Sequence, residues 1–373
     1  MQYPIIFACF DIQRMKKIFL PALCFLFALS IISCSEKFNV AAPYKSVTVV
    51  YGLLNMSDTA QYIRIQKSFL DENKSALVMA QNPDSNYNAR IIVVIKELSS
   101  SYTISTDTLH RVDLNKEGYP KDSGVFFSSV NYAYKYKHPL NADYTYRLVI
   151  TDTGTGVVDS AETVVISNDP SAFVVKDFEA AYPSVRSPFN FTHIFPSQSA
   201  YTLRTIVPLN VQVLSGIIRF NWVDSNLVSL KGTPKYADFD FCDKNFGANT
   251  TSPTNVSLSN LNTNFYDFLA SSIGTPSDPS VVRYLTGCDF TIYAATSDFY
   301  TYQQVQQTES GGLTSEEIKP NYTNIKGKDV IGLFTCRCTR SNPYKMYIYN
   351  ETVDSLMASP LTSALQIRGQ ISH

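Results

Sequence analysis

The acids of the segment Asp238-Phe-Asp240-Phe-Cys-Asp243 stand at i, i+2 and i+5. In an extended chain Asp238 and Asp240 project from one face, a spacing that could hold a calcium ion or serve as an acid/base pair. A surface hydrolase would rest on these two carboxylates. The glycine and the bidentate acid of a calcium loop are missing, and Phe239 and Phe241 alternate with the acids. The better-supported expectation is therefore a solvated strand face with the phenylalanines turned inward. The histidines are His110, His138, His193 and His373, and none pairs with another at metal-ligand spacing. His193 lies between Phe191 and Phe195 and reads as packed or half-exposed. No G-x-S-x-G, H-E-x-x-H, P-loop or dinucleotide glycine pattern occurs, so no catalytic residue, metal or cofactor is expected. The 24 tyrosines, against one tryptophan, are more informative. Tyr132, Tyr134 and Tyr136 alternate, and Tyr344, Tyr347 and Tyr349 lie near the end. Tyrosine suits surfaces that bind sugars, peptides or proteins, and equally the half-wet faces of strands.

The elements that must position these groups read as strands. With 45% hydrophobic residues the 373-residue chain can bury a core, which excludes wholesale disorder. Lys+Arg at 31 against Asp+Glu at 32 excludes a general nucleic-acid binder. Only one segment is apolar enough to enter a membrane, which excludes a polytopic protein. Strand-like runs separated by Gly, Pro, Asn, Asp and Ser are predicted at 47–54, 61–66, 90–95, 102–105, 108–114, 125–136, 144–151 and 157–166. In the second, Tyr62 and Arg64 share one face and Ile63 and Ile65 the other. Arg90–Ile95 is a continuous apolar run, as a strand covered on both faces would be. The cluster Ser167-Asn-Asp-Pro170 marks a boundary. Beyond it Tyr201, Leu203, Thr205 and Val207 alternate, as do Ile218, Phe220 and Trp222, and Phe290, Ile292 and Ala294. Helical spacing predicts short helices over 264–271 and 297–305, the second capped by Ser297 or Asp298. The Gly/Pro/Asn-rich stretch 231–262 reads as a long loop.

Near the N-terminus, Lys16 and Lys17 precede fifteen mostly apolar residues, Ile18–Ile32, the charge and length of a signal peptide rather than a spanning helix. Ile31-Ile32-Ser33-Cys34 resembles a bacterial lipobox, in which cleavage precedes the cysteine and its thiol carries diacylglycerol. Residues 1–33 are then a lipoprotein signal peptide with Met15 the expected start, Cys34 is the lipidation site, and 34–44 form a lipidated tether. Removing 1–33 takes away Arg14, Lys16, Lys17 and Asp11, leaving 28 basic and 31 acidic side chains, a balance of −3. A nearly neutral body on a lipid anchor follows, in which each buried acyl methylene contributes about 0.8 kcal/mol. Besides Cys34, the mature chain keeps Cys242, Cys288, Cys336 and Cys338. They permit two disulfides in any of three pairings, or buried free thiols; zinc would want C-x-x-C spacing that is missing here.

Leu140-Asn-Ala-Asp-Tyr-Thr-Tyr146 resembles the corner of immunoglobulin-like and fibronectin-type modules, where a leucine precedes by six residues a tyrosine whose hydroxyl returns to the backbone. The resemblance implies an immunoglobulin-like antiparallel β-sandwich over 45–168, and the alternating runs beyond the boundary read as a second β-rich domain with a few short helices over 172–373. The second part carries Cys288–Ala294, Phe299-Tyr-Thr-Tyr302, Asn324-Ile325-Lys-Gly327, Gly332-Leu-Phe334 and Thr352–Leu356, with Tyr51-Gly-Leu-Leu54 near the start. In this order they resemble a family of Bacteroidota outer-membrane lipoproteins of unknown function, with Lys328 where a second glycine is usual. That resemblance implies anchorage to the outer membrane, on its periplasmic or its surface face, and a neighbouring TonB-dependent transporter as partner. Its expectation is a binding or accessory protein, not an enzyme; a carboxylate hydrolase and a structural or adhesive surface lipoprotein are the alternatives.

Overall fold

The computed structural model describes residues 46–68, 75–175, 189–191, 200–226, 229–309, 322–341 and 346–371. The expected leader 1–33, the expected lipidation site Cys34 and tether 34–44, His193, Tyr344 and His373 lie outside them. The fold is mainly β, an immunoglobulin-like sandwich followed by further β-structure with a few short helices.

In the first part, β1 (Thr48–Leu54), β2 (Gln61–Lys67), β6 (Tyr132–Tyr136) and β5 (His110–Asp113) lie side by side. The facing sheet runs β4 (Tyr102–Thr108), β3 (Ile91–Ser99), β7 (Thr145–Asp152) and β8 (Val158–Val164). Neighbours within each set pair antiparallel. Two short helices, α1 (Ala76–Ala80) and α2 (Pro83–Asn86), lead from β2 toward β3. Alternation explains which side chains meet between the sheets: Val50, Ile63, Ile65, Val93, Ile95, Leu148 and Ile150 are all buried. Ile92 is 47% exposed, so β3 is covered on one face only, contrary to the expectation from its apolar run. The β-branched residue Ile92 simply occupies a wet face. Tyr134 and Tyr136 turn into the sandwich, and Tyr136 meets Tyr146 edge-on at 6.3 Å. Tyr146 is fully buried and its hydroxyl accepts the Asn141 N–H at 2.7 Å, the predicted corner bond. Of the predicted strand 125–136 only the last five residues pair; Val125 and Phe126 stand in an exposed loop.

Most of the remaining strands continue the first sheet. β9 (Val174–Val175), β10 (Ala200–Val207) and β13 (Thr254–Leu261) form a small sheet of their own. β11 (Val213–Asn226), β12 (Ser229–Asn245), β14 (Val281–Ala295) and β15 (Val330–Ser341) join the large sheet in the order β12-β11-β14-β15-β1-β2-β6-β5. A ninth strand, β16 (Ile367–Gln370), pairs parallel with β14. The helices are α3 (Asn262–Ile273), α4 (Ser297–Glu309) and α5 (Asn350–Ala358). The stretch 231–262, expected as a loop, is instead most of β12 and all of β13, with a connection of only 246–253. β12 is an edge strand, the place in a sheet where a proline such as Pro234 is tolerated. Ile218, Phe220, Phe239, Phe241, Phe290 and Ile292 share the inner face with Phe265 of α3. Phe191 stacks on Phe265 at 4.2 Å between ring centroids. Each such ring contributes roughly 1.5–3 kcal/mol on burial.

β15 joins the two parts. Val330–Cys336 pairs parallel with β1, and Arg337–Ser341 pairs antiparallel with β14. Lys45–His373 is accordingly one compact unit, in which strands from both sides of Ser167–Pro170 share a sheet. Gly332 and Phe334 meet β1 at this seam. Asn324 Nδ2 donates to the Phe334 carbonyl at 2.7 Å, and its Oδ1 accepts the Phe334 N–H at 2.9 Å. Gly332 has φ +126°, and a side chain there would meet the Val50 carbonyl oxygen at 1.9 Å. Only glycine takes that backbone conformation without strain.

Candidate functional site

Asp238 and Asp240 do share the outer face of β12, with Phe239 and Phe241 buried beneath. They do not form an acid/base pair. Asp238 is held by its cross-strand neighbour Arg219, whose Nε and Nη2 donate to its two carboxylate oxygens at 2.7 and 2.8 Å. That hydrogen-bonded guanidinium holds the Asp238 carboxyl below its usual range. Arg219 in turn stacks on Tyr236 at 4.1 Å. An acid fixed in this way is a poor proton donor at neutral pH. Asp240 is exposed, opposite Ile217. Among the described residues no group of His, Cys, Asp and Glu side chains could hold a metal ion.

The four cysteines Cys242, Cys288, Cys336 and Cys338 are free thiols, so the disulfides that the sequence permits do not form. Cys242 on β12 and Cys288 on β14 are separated by β11, and two strand spacings of about 4.8 Å exceed the reach of a disulfide. Cys336 and Cys338 point the same way from one strand, side by side rather than toward each other. Their sulfurs instead bind the segment after β8: the Ile166 N–H donates to Cys336 at 3.4 Å, and Cys338 donates to the Ser167 carbonyl at 3.7 Å. Burial pushes both thiols up to about 12.

A group of polar and titratable side chains does converge where the chain changes sheets. β4 ends at Thr108 in one sheet, Leu109 is buried, and β5 begins at His110 in the other. The crossing and the end of β6 enclose an open cavity of about 400 Å3, lined by Asp107, His110, Glu117, Lys135, Lys137 and His138 among others. His138 Nε2 lies 3.6 Å from Asp107 Oδ1, too long for a hydrogen bond. Glu117 accepts from Lys135 and from the Tyr62 hydroxyl, and the Lys135 bond leads in holding its carboxyl below the usual range. Tyr136 donates to Glu97, and burial raises its hydroxyl pKa. The cavity thus offers a fixed anion, ammonium groups and two imidazoles without an activated nucleophile. That is a set for hydrogen-bonding a small polar ligand. Sequence reasoning noted His110 and His138 singly and missed their company. They stand 28 residues apart, and only the change of sheet brings them to one place.

A second cavity, about 440 Å3, opens between α5 and β16 and is lined by Tyr347, Asn350, Asp354, Met357, Arg368 and Gln370 among others. The Gln370 amide bridges the backbone of Ile348, accepting its N–H at 2.9 Å and donating to its carbonyl at 3.1 Å.

No protein-family model and no curated protein matches the chain. Among solved structures, the C-terminal globular domain of an oligosaccharyltransferase from Pyrococcus abyssi aligns over 78% of this chain at 9% identity and a TM-score of 0.19. The aligned part spans 43% of that chain.

Proposed function

We propose that this protein is an outer-membrane-anchored lipoprotein that acts as a non-enzymatic binding or accessory protein beside a TonB-dependent transporter. The observation that carries the reading is the order Lys16-Lys17, apolar Ile18–Ile32, Ser33 and Cys34. An acylated thiol would hold the β-structured body at the membrane and leave its loops and cavities to bind. The cavity beside His110 and His138 favours a small hydrogen-bonding ligand over a reaction. The grip of Arg219 on Asp238 counts against the carboxylate hydrolase. Two experiments test the reading. Cys34→Ser should move the protein from the membrane to the soluble fraction; retention at the membrane would refute the anchor. Affinity purification from detergent-solubilised membranes should recover a β-barrel transporter; recovery of the lipoprotein alone from intact complexes would refute the partner.

A further inference from the structure

The pairing registers place one cluster of exposed apolar side chains at the end of the sandwich from which the N-terminal chain emerges. Thr48 opens β1 opposite Lys67, the last residue of β2; the Ser68 N–H donates to the Val47 carbonyl, and the Val47 N–H donates to the Ser68 hydroxyl. Thr48 also donates to the Asp329 carbonyl at the start of β15. β6 starts at this end, since Tyr136 pairs with Gln61 and Tyr134 with Ile63. Asp113, which closes β5, pairs with Tyr132 there. The loop 114–131 therefore leaves and returns at the end where the tether joins the body. α1 lies against that loop: the Phe127 N–H donates to the Ala80 carbonyl at 3.1 Å, and Gln81 donates to the Val125 carbonyl.

On this shared tip Leu77 is 64% exposed, Val78 65%, Val125 55% and Phe126 49%. Lys121 lies behind them, its ammonium over the rings of Phe127 at 4.4 Å and Phe126 at 5.6 Å. Four large apolar side chains on two adjoining segments, backed by a cation, suit the boundary between headgroups and acyl chains. The tether supplies the reason for that occupant. From Cys34 to Ser46 is 12 residues, which reach at most roughly 40 Å when extended. An anchor on that tether keeps this end of the body, rather than the β3–β4 turn at the other, facing the lipid.

We propose that this tip docks on the lipid bilayer, with Leu77, Val78, Val125 and Phe126 entering the interface and the sandwich standing on the membrane. The proposal rests on the anchored reading above, and its test separates the two. Leu77→Trp and Phe126→Trp are made in the full-length, membrane-extracted protein, with Tyr102→Trp at the opposite end as control; Tyr102 is 78% exposed beside the β3–β4 turn. Each is placed on vesicles of phospholipids brominated near the top of the acyl chain, and the emission of unsubstituted protein, from Trp222 alone, is subtracted. Tryptophans at 77 and 126 should shift to the blue and lose at least roughly twofold in emission, while the one at 102 keeps its own. Unquenched tryptophans at 77 and 126 overturn the docking, whether or not the protein floats with the vesicles. Failure to float, with an unmodified Cys34, separately overturns the anchor. Cross-linking from position 126 to a second protein in native membranes, with no quenching on bare vesicles, assigns the tip to a protein and also overturns the proposal.

Discussion

The Phe334 ring fills the space that a side chain on Gly52 would occupy: a Cβ on Gly52 would lie 2.7 Å from Phe334 Cδ2. The two residues face each other across the parallel pairing of β1 with β15. The Gly-Leu-Leu run and the Gly-x-Phe run, so distant in sequence, are halves of one contact. Gly52→Ala should cost about 1–3 kcal/mol by overpacking. Gly332→Ala, with φ +126° and the Val50 carbonyl in the way, should cost more. Urea unfolding followed by Trp222 fluorescence measures both, and variants as stable as the parent would mean that β15 does not seat on β1 as described.

Asp159 lies beneath the same seam. It is 4% exposed, its Oδ1 has no hydrogen-bond partner, and a side chain on Gly327 would strike that oxygen at 1.9 Å. Burial raises its pKa above the ordinary carboxylate value, against the lowering effect of the Lys328 N–H. The native state therefore takes up the proton before the unfolded state does. The stability gained is complete below the unfolded pKa and is lost as pH rises through the folded one. Asp159→Asn should flatten the fall in stability as pH rises above about 4 and leave the variant the more stable near neutrality. Urea midpoints across that range decide it; an unchanged slope would contradict the role given to this carboxyl.

Tyr146→Phe removes the hydroxyl that accepts the Asn141 N–H and keeps the ring. The expected loss is about 1 kcal/mol, that of one hydrogen bond, with the fold retained. A fall several times larger would mean that the corner also holds the register of β7.

Arg283 is 4% exposed and binds Asp224 Oδ1 at 3.0 Å, Gly274 O at 2.6 Å and Leu365 O at 3.2 Å. Trp222 Nε1 and Lys235 share the same carboxylate. Arg283→Met should cost about 3–5 kcal/mol, because it strips Asp224 of a buried partner and frees two carbonyls. By contrast, Asp238→Asn breaks an exposed pair and should cost under about 1 kcal/mol. Thermal unfolding of the two variants, run side by side, checks the order.

Regular alternation made much of the fold legible. Ile218, Phe220 and Trp222 on β11, and Phe290, Ile292 and Ala294 on β14, are buried as their spacing predicts. β12 was hidden because an edge strand tolerates Gly232, Pro234 and a row of exposed charged residues, the composition of a loop. The run from Val125 read as strand because its residues are apolar, and a residue type does not say whether it meets a core or a surface. The pairing of Thr48 with Val330 has no local signature at all. Its glycines were visible only as part of a resemblance, and their reason, close backbone approach, belongs to the folded state. The candidate cavity was equally invisible, since Asp107, Glu117 and His138 are assembled by the crossing between sheets.

The lipid on Cys34 is the claim on which location, partner and membrane docking all depend. Mass spectrometry of the N-terminal peptide from protein extracted out of native membranes tests it most directly. The predicted result is a peptide that begins at Cys34 and carries the added mass of diacylglycerol and its acyl chains. A peptide that runs through Ser33 into an unmodified Cys34 would contradict it.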